Sequence, residues 1–150
     1  MTNRQPAPTD GEPGHNLLDI EARLRLRPSA TVVITLLMLG ATCWLRAVAA
    51  DQADVERLLL RFAVMPSQML GGELWRAVTG TWLHESWIHL LVNIVALVFA
   101  GRLVEALYGP IRTWLLFALS ALGGTIGTTL AGVTLSVGAS GAVFGLLAAL

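Results

Sequence analysis

A serine between glycines, Ser140, begins an apolar run in the sequence Gly138-Ala139-Ser140-Gly141. A serine hydroxyl can attack a carbonyl carbon, and at a helix N-terminus the serine's own backbone N–H is an unsatisfied donor that can stabilise the resulting oxyanion. This pattern predicts acyl-transfer chemistry with Ser140 as the nucleophile. The alternative is structural, because serine is also a preferred N-cap residue and Ser140 could simply cap a helix.

His89 and Asn93 are four residues apart, so on a helix they share one face. They could be hydrogen-bond donors to a reacting oxygen, polar residues satisfied between helices, or metal ligands. The stretch from His84 to His89 is similar to the zinc-protease pattern His-Glu-x-x-His but has one residue too many, so the two imidazoles diverge by about 140°. The sequence therefore predicts no metal site and no cofactor.

The segment around Ser140 also approaches the Gly-x-Ser-x-Gly elbow of soluble hydrolases. Residues 133–137 alternate like a short strand, but the second glycine of that motif falls on Ala142. Long uncharged stretches on both sides leave no room for a hydrolase sheet. We therefore do not expect an elbow.

The composition indicates an integral membrane protein. Of the 150 residues 55% are hydrophobic, the mean hydropathy is +0.67, and no charged residue follows Arg112. The formal net charge is zero, which gives no indication of a nucleic-acid partner. The single cysteine, Cys43, cannot form an internal disulfide.

The apolar runs predict an all-α fold, a polytopic transmembrane bundle of about four helices. We expect a disordered cytoplasmic tail over residues 1–30 and a membrane domain over 31–150. The predicted helices are about 31–50, 86–108, 113–132 and 139–150, with an interfacial loop over 51–85. The first run could instead be a cleaved signal ending at Ala47-Val48-Ala49, but the long polar region before it and Arg46 near the cut favour an uncleaved helix.

The fourth predicted helix has only about 11 residues, whereas a spanning helix needs about 20. We therefore expect the natural protein to continue beyond Leu150. Three arginines shortly before the first helix, and Arg102 and Arg112 around the second link, place the N-terminus and residues 109–112 in the cytoplasm by the positive-inside rule. Ser140 then lies toward the outer side.

Taken together, the motifs resemble the rhomboid intramembrane serine proteases over roughly residues 70–150. His-x-x-x-Asn alone is a weak signal, but joined to Gly-x-Ser-Gly in a membrane chain it is strong. The residues that carry the resemblance, in family order, are Trp75-Arg76, His84, His89, Asn93, Glu105, Tyr108-Gly109 and the run Gly138-Ala139-Ser140-Gly141-Ala142-Val143-Phe144-Gly145.

The resemblance implies a bundle of six or seven helices with a water-filled cavity open to the outer side. Ser140 matches the nucleophile, and His89 and Asn93 match the side chains that form the oxyanion hole with the Ser140 N–H. A structural role is implied for a further set of residues: Trp75, Arg76, His84, Glu105, Gly138, Gly141 and Gly145. The family's general base, a histidine on the sixth helix, has no match here, since the remaining histidine, His15, lies in the polar tail.

The resemblance thus implies a serine endopeptidase that cleaves transmembrane or membrane-proximal segments of other membrane proteins, in the lipid bilayer of a bacterial inner membrane. The 150 residues by themselves lack the base and are expected to be inactive. Two other functions stay open. A catalytically inactive rhomboid-like protein would bind membrane clients, and a transporter or channel subunit would use its glycines for packing and His89 for a pore.

Overall fold

The computed structural model describes residues 29–150, so the expected disordered tail lies almost wholly outside the described residues. The described chain is helical, and the predicted all-α fold is confirmed. Its helices are α1 Ala30–Val48, α2 Gln52–Phe62, α3 Pro66–Leu70, α4 Arg76–Trp82, α5 Trp87–Tyr108, α6 Pro110–Leu130 and α7 Ser140–Ala148.

The helices α1, α5 and α6 are long and apolar enough to cross a membrane. The inner core of the bundle forms where α1, α5, α6 and α7 meet. Its buried side chains include Met38, Leu97, Phe117 and Leu146. Many large apolar side chains on the outward faces are exposed, as expected for helices whose surroundings are lipid rather than water.

A carboxylate joins the first helix to the longest one. Glu105, near the end of α5, accepts hydrogen bonds from the hydroxyls of Ser29 and Thr31 and from the backbone N–H groups of Ala30 and Thr31. The start of α1 has unsatisfied N–H donors and a partial positive charge, so a carboxylate is a favourable partner there. Glu105 therefore fixes the start of α1 against the end of α5.

The turn between α5 and α6 is a single residue, Gly109. It adopts φ +82°, a conformation that glycine tolerates, and Pro110 then occupies the first turn of α6. The helix break expected at this dipeptide is thus present. The third predicted helix begins at Pro110 rather than near residue 113, because proline is well suited to a helix start.

The segment 51–85, for which the sequence predicts an interfacial loop, contains the three short helices α2, α3 and α4. The first is capped by Asp51, whose side chain accepts from the Asp54 N–H. Arg76, at the start of α4, is buried and donates to the carbonyls of Leu60 and Ala63 at 2.8 and 3.1 Å. Arg76 therefore holds the end of α2 against α4, which folds the segment back on itself.

Small residues allow α6 and α7 to approach closely. A Cβ atom at Gly124 would lie 2.9 Å from the Cα of Gly141, and one at Gly145 would lie 1.9 Å from the Ser120 Oγ. Neither position can accept a larger side chain without movement of a helix. This close contact fixes the axis of α7, the helix that begins with Ser140.

Candidate active site

Ser140 is the first residue of α7, and it does not serve as the helix cap. The N-cap is Ala139, which makes no side-chain capping bond. The interpretation of Ser140 as a capping residue is therefore wrong. Its backbone N–H belongs to the first turn, where helical partners are lacking, and its side chain is exposed. Hydroxyl and N–H are thus presented together at one helix end.

A cavity of about 270 Å³ lies next to this helix end. Ser140 and Gly138 line it together with side chains from α4 and α6, including Thr81, Thr125 and Thr128. The glycines and threonines of its wall leave room for a chain segment and provide hydroxyl groups. The cavity therefore brings a serine hydroxyl into a partly polar space within an otherwise apolar bundle.

Residues 131–139, which we call the serine loop, are held by the 51–85 segment at three successive points. Ser136 and Val64 exchange two backbone hydrogen bonds of 3.0 and 2.9 Å in an isolated antiparallel bridge. Gly138 N–H donates to the Gly80 carbonyl at 2.8 Å, and Ala139 N–H donates to His84 Nε2 at 3.4 Å. These bonds fix the backbone directly before Ser140.

His89 packs against the serine loop at Gly138. Ser86 caps α5 by accepting from the His89 N–H at 3.1 Å, which places His89 in the first turn of that helix. A Cβ atom at Gly138 would lie 2.8 Å from His89 Cε1 and 2.9 Å from His89 Nε2, and Gly138 has φ +105°. Only glycine both adopts this positive φ readily and leaves room for the ring. The imidazole therefore lies directly beside the backbone two residues before Ser140.

Asn93 lies one turn further along α5 and is buried. Its amide nitrogen donates to the His89 carbonyl at 2.9 Å. Since an asparagine amide carries two N–H donors, one is left for another acceptor. Within the described residues, the wall of the cavity includes Ser140 but neither His89 nor Asn93. The structure thus brings His89 into contact with the serine loop, whereas Asn93 lies one helical turn away and does not line the cavity.

His84 is fully buried and stacks edge-to-face against His89, with ring centroids 5.1 Å apart. Burial, and secondarily the neighbouring His89, lower the pKa of His84 to about 4. His84 is therefore neutral at physiological pH. A neutral imidazole can accept the Ala139 N–H through Nε2, which an imidazolium could not.

The sequence did not indicate two positions that shape the site, Gly80 and Val64. A Cβ atom at Gly80 would lie 2.7 Å from a Val64 side-chain carbon and 2.8 Å from the Val64 nitrogen. The carbonyl of Gly80 in turn accepts from Gly138. The available signal was the glycine in the stretch Thr79-Gly80-Thr81, because glycine weakens a helix relative to alanine and its presence there suggests a packing reason.

Comparison with known proteins identifies relatives of this chain. A family model described as the Rhomboid domain matches residues 71–150. RHOMBOID-like protein 5 of Arabidopsis thaliana is 42% identical over 82 residues, which is 53% of this chain and 26% of that protein. Rhomboid protease GluP of Bacillus subtilis is 35% identical over 107 residues, which is 71% of this chain and 21% of that protein.

One relative carries a different description. Inactive RHOMBOID-like protein 8 of Arabidopsis thaliana is 34% identical over 79 residues, covering 52% of this chain and 22% of that protein. The chain therefore spans about a quarter or less of the length of these relatives. The family and the three apolar helices support an integral membrane protein. These relatives come from a plant and a bacterium, so they give no particular support for a bacterial inner membrane.

Proposed function

The chain belongs to the rhomboid family, and on that premise we propose that it is the part of an intramembrane serine endopeptidase that carries the nucleophile and the oxyanion hole. The observation that carries the proposal is the position of Ser140. Its hydroxyl and N–H lie at a helix start on a cavity, and its side chain is not used as a cap. The substrates would be transmembrane or membrane-proximal segments of other membrane proteins.

In the proposed reaction, the Ser140 oxygen bonds to the scissile carbonyl carbon while its proton passes to a general base. The carbonyl oxygen becomes an oxyanion that the Ser140 N–H, His89 and Asn93 stabilise. The tetrahedral intermediate then expels the amine, which takes the proton, and leaves an acyl-enzyme. Water hydrolyses this ester and regenerates Ser140.

We assign the general base to a residue outside these 150. Of the three histidines, His15 lies in the polar N-terminal region, and His84 uses its Nε2 to accept from Ala139. His89 lies beside Gly138 and is assigned to the oxyanion. The resemblance to the family supports a base on a later helix. The full-length protein would then contain nucleophile and base on neighbouring helices.

The second candidate is an inactive member of the family that binds membrane clients. The similarity to Inactive RHOMBOID-like protein 8 favours considering it. The two functions differ in one measurable property, since only a protease needs an activated serine hydroxyl.

Covalent labelling of the full-length protein by a serine-directed fluorophosphonate tests the proposal. We expect labelling of the wild type, none of Ser140→Ala, and wild-type labelling of Ser136→Ala, a control serine on the same cavity wall. Cleavage of a model transmembrane substrate in liposomes should follow the same order. Labelling that persists in Ser140→Ala would exclude this nucleophile, and absence of labelling in all three would favour the client-binding function.

A further inference from the structure

A groove of about 340 Å³ opens between α1, the end of α2 and α4, on a surface that the proposed chemistry does not use. Its walls include Leu37, Ala41 and Trp44 of α1, with Phe62 and Trp82 opposite. The three α1 residues are spaced by four and three positions, so they form one stripe about 10 Å long on that helix. The groove therefore follows α1 through roughly a third of a hydrocarbon core about 30 Å thick.

The wall offers almost nothing that water could bind. Its hydroxyl group belongs to Thr79, which already donates to the Phe62 carbonyl at 2.8 Å. Leu37 and Trp44 are each about half exposed in the isolated chain. A buried water needs two to four polar partners, so the groove favours an apolar occupant.

Arg61 is not part of the groove wall but lies beside the wall residue Phe62, and we call this side of the groove the rim. The Arg61 guanidinium carbon lies 6.0 Å from the centroid of the Phe62 ring, and Arg61 is exposed in the last turn of α2. Among residues 29–150 no carboxylate lies within ion-pair distance of Arg61, whereas Arg57 on the same helix pairs with Asp54 at 2.8 Å. The planar guanidinium matches the oxygens of a phosphate, so the rim is complementary to an anionic headgroup.

We propose that this groove binds an anionic phospholipid, with one acyl chain along α1 and the phosphate on Arg61. The aromatic wall supports this arrangement, because Phe62 contacts Trp44 edge-to-face at 6.1 Å and Trp rings favour the boundary between acyl chains and headgroups. The bound lipid would bridge α1 and the 51–85 segment, which in turn holds the serine loop. Lipid binding does not depend on proteolytic activity.

Native mass spectrometry of the purified protein, released from detergent containing phosphatidylglycerol or phosphatidylcholine, tests the site. Leu37→Trp should fill the groove, and Arg61→Gln should remove the phosphate partner. We expect each to lower retention of phosphatidylglycerol by roughly tenfold. Leu36→Trp, one residue away on the lipid-facing surface, and Arg57→Gln, the ion-paired arginine, are the matched controls and should retain it as the wild type does.

The outcomes separate the parts of the proposal. Loss of phosphatidylglycerol in Leu37→Trp and Arg61→Gln alone, with weaker retention of phosphatidylcholine by the wild type, supports it. Equal loss in Arg57→Gln would show diffuse surface attraction and overturn the site. Loss in Leu37→Trp without loss in Arg61→Gln would overturn the phosphate contact. Absence of bound lipid from the wild type would overturn the proposal as a whole.

Discussion

At the scale of single residues, the site depends on how each polar group is already satisfied. Ser140 does not cap its helix, whereas the Nε2 of His84 accepts a hydrogen bond from the Ala139 N–H of the serine loop. Asn93 gives one N–H to its own helix and keeps the other. The proposed roles follow from this division, since a residue whose hydrogen bonds are committed to the backbone serves position rather than reaction.

The proposed oxyanion donors, His89 and Asn93, should be needed for catalysis but not for the fold. In the full-length protein we expect His89→Ala and Asn93→Ala each to lower kcat/KM by roughly 10²- to 10³-fold, the usual cost of losing one such donor. Substrate cleavage in liposomes measures this, and Val92→Ala on the exposed face of α5 is the control. A double variant with full activity would remove both residues from the mechanism.

The buried His84 should make the fold sensitive to acid. The pKa of His84 in the fold is about 4, below the ordinary value of 6.5, so the unfolded chain binds more protons between these values. Stability is then complete above pH 6.5 and is lost as the pH falls toward 4, by at most about 3 kcal/mol. Thermal denaturation in detergent at pH 7, 5 and 4 measures the loss.

His84→Gln is the informative comparison for this acid sensitivity. Its side-chain carbonyl can still accept from Ala139 but has no proton to gain, so its denaturation midpoint should fall less between pH 7 and 4 than that of the wild type. His89→Gln removes the secondary cause of the lowered His84 pKa, so it should reduce the pH dependence less than His84→Gln does. An unchanged pH dependence in His84→Gln would rule out His84 as the cause.

At the scale of helices, close approach replaces the hydrophobic effect as the means of association. Lipid tails are as apolar as the side chains, so α6 and α7 gain stability from tight packing of small residues. At the other end of the bundle, α1 and α5 are joined through Glu105, which accepts four hydrogen bonds from the N-cap Ser29 and the first two residues of α1. Close packing of small residues thus joins α6 to α7, whereas hydrogen bonds to a carboxylate join α1 to α5.

The contact between Ser120 and Gly145 predicts that a destabilising substitution at one position can be compensated by a substitution at the other. Gly145→Ala should destabilise the protein by about 1–3 kcal/mol, because its Cβ would lie 2.2 Å from the Ser120 Cβ. Adding Ser120→Gly removes the clash and should restore most of the denaturation midpoint in detergent. Gly123→Ala meets nothing within 4 Å and is the control. Failure of the rescue would show that the close contact is not the cause.

At the scale of the whole molecule, the segment 51–85 and the serine loop lie at the same end of the bundle. The backbone pairing of Val64 with Ser136 and the hydrogen bond from the Gly138 N–H to the Gly80 carbonyl hold the two segments together there. The turn at Gly109 lies at the other end of α5 and α6. By the positive-inside rule, the arginine distribution predicts that this opposite end faces the cytoplasm.

Accessibility labelling of single cysteines in a Cys43→Ala background tests that assignment. We expect Gln68→Cys and Thr134→Cys to react with a membrane-impermeant thiol reagent from outside, and Ile111→Cys to react from the cytoplasmic side. Gln68 and Thr134 must behave alike, because the structure joins their segments. Labelling of Thr134→Cys only from the cytoplasm would reverse the topology.

The sequence by itself determined the features that depend on neighbouring residues. Apolar composition was enough to predict a membrane bundle, Gly109-Pro110 to predict a helix break, and Gly-Ala-Ser-Gly with His-x-x-x-Asn to indicate the family. These are local properties of the chain, since helix length, turn preference and motif spacing depend on residues within a few positions of one another.

Only the tertiary structure decided which distant polar groups meet. Glu105 finds its donors about 75 residues away, and the Ala139 N–H finds His84 at a separation of 55. The short helices of 51–85 likewise depend on the contacts of Arg76 with Leu60 and Ala63. A buried polar group must be satisfied by whichever partner the packing brings near, and that partner cannot be inferred from sequence spacing.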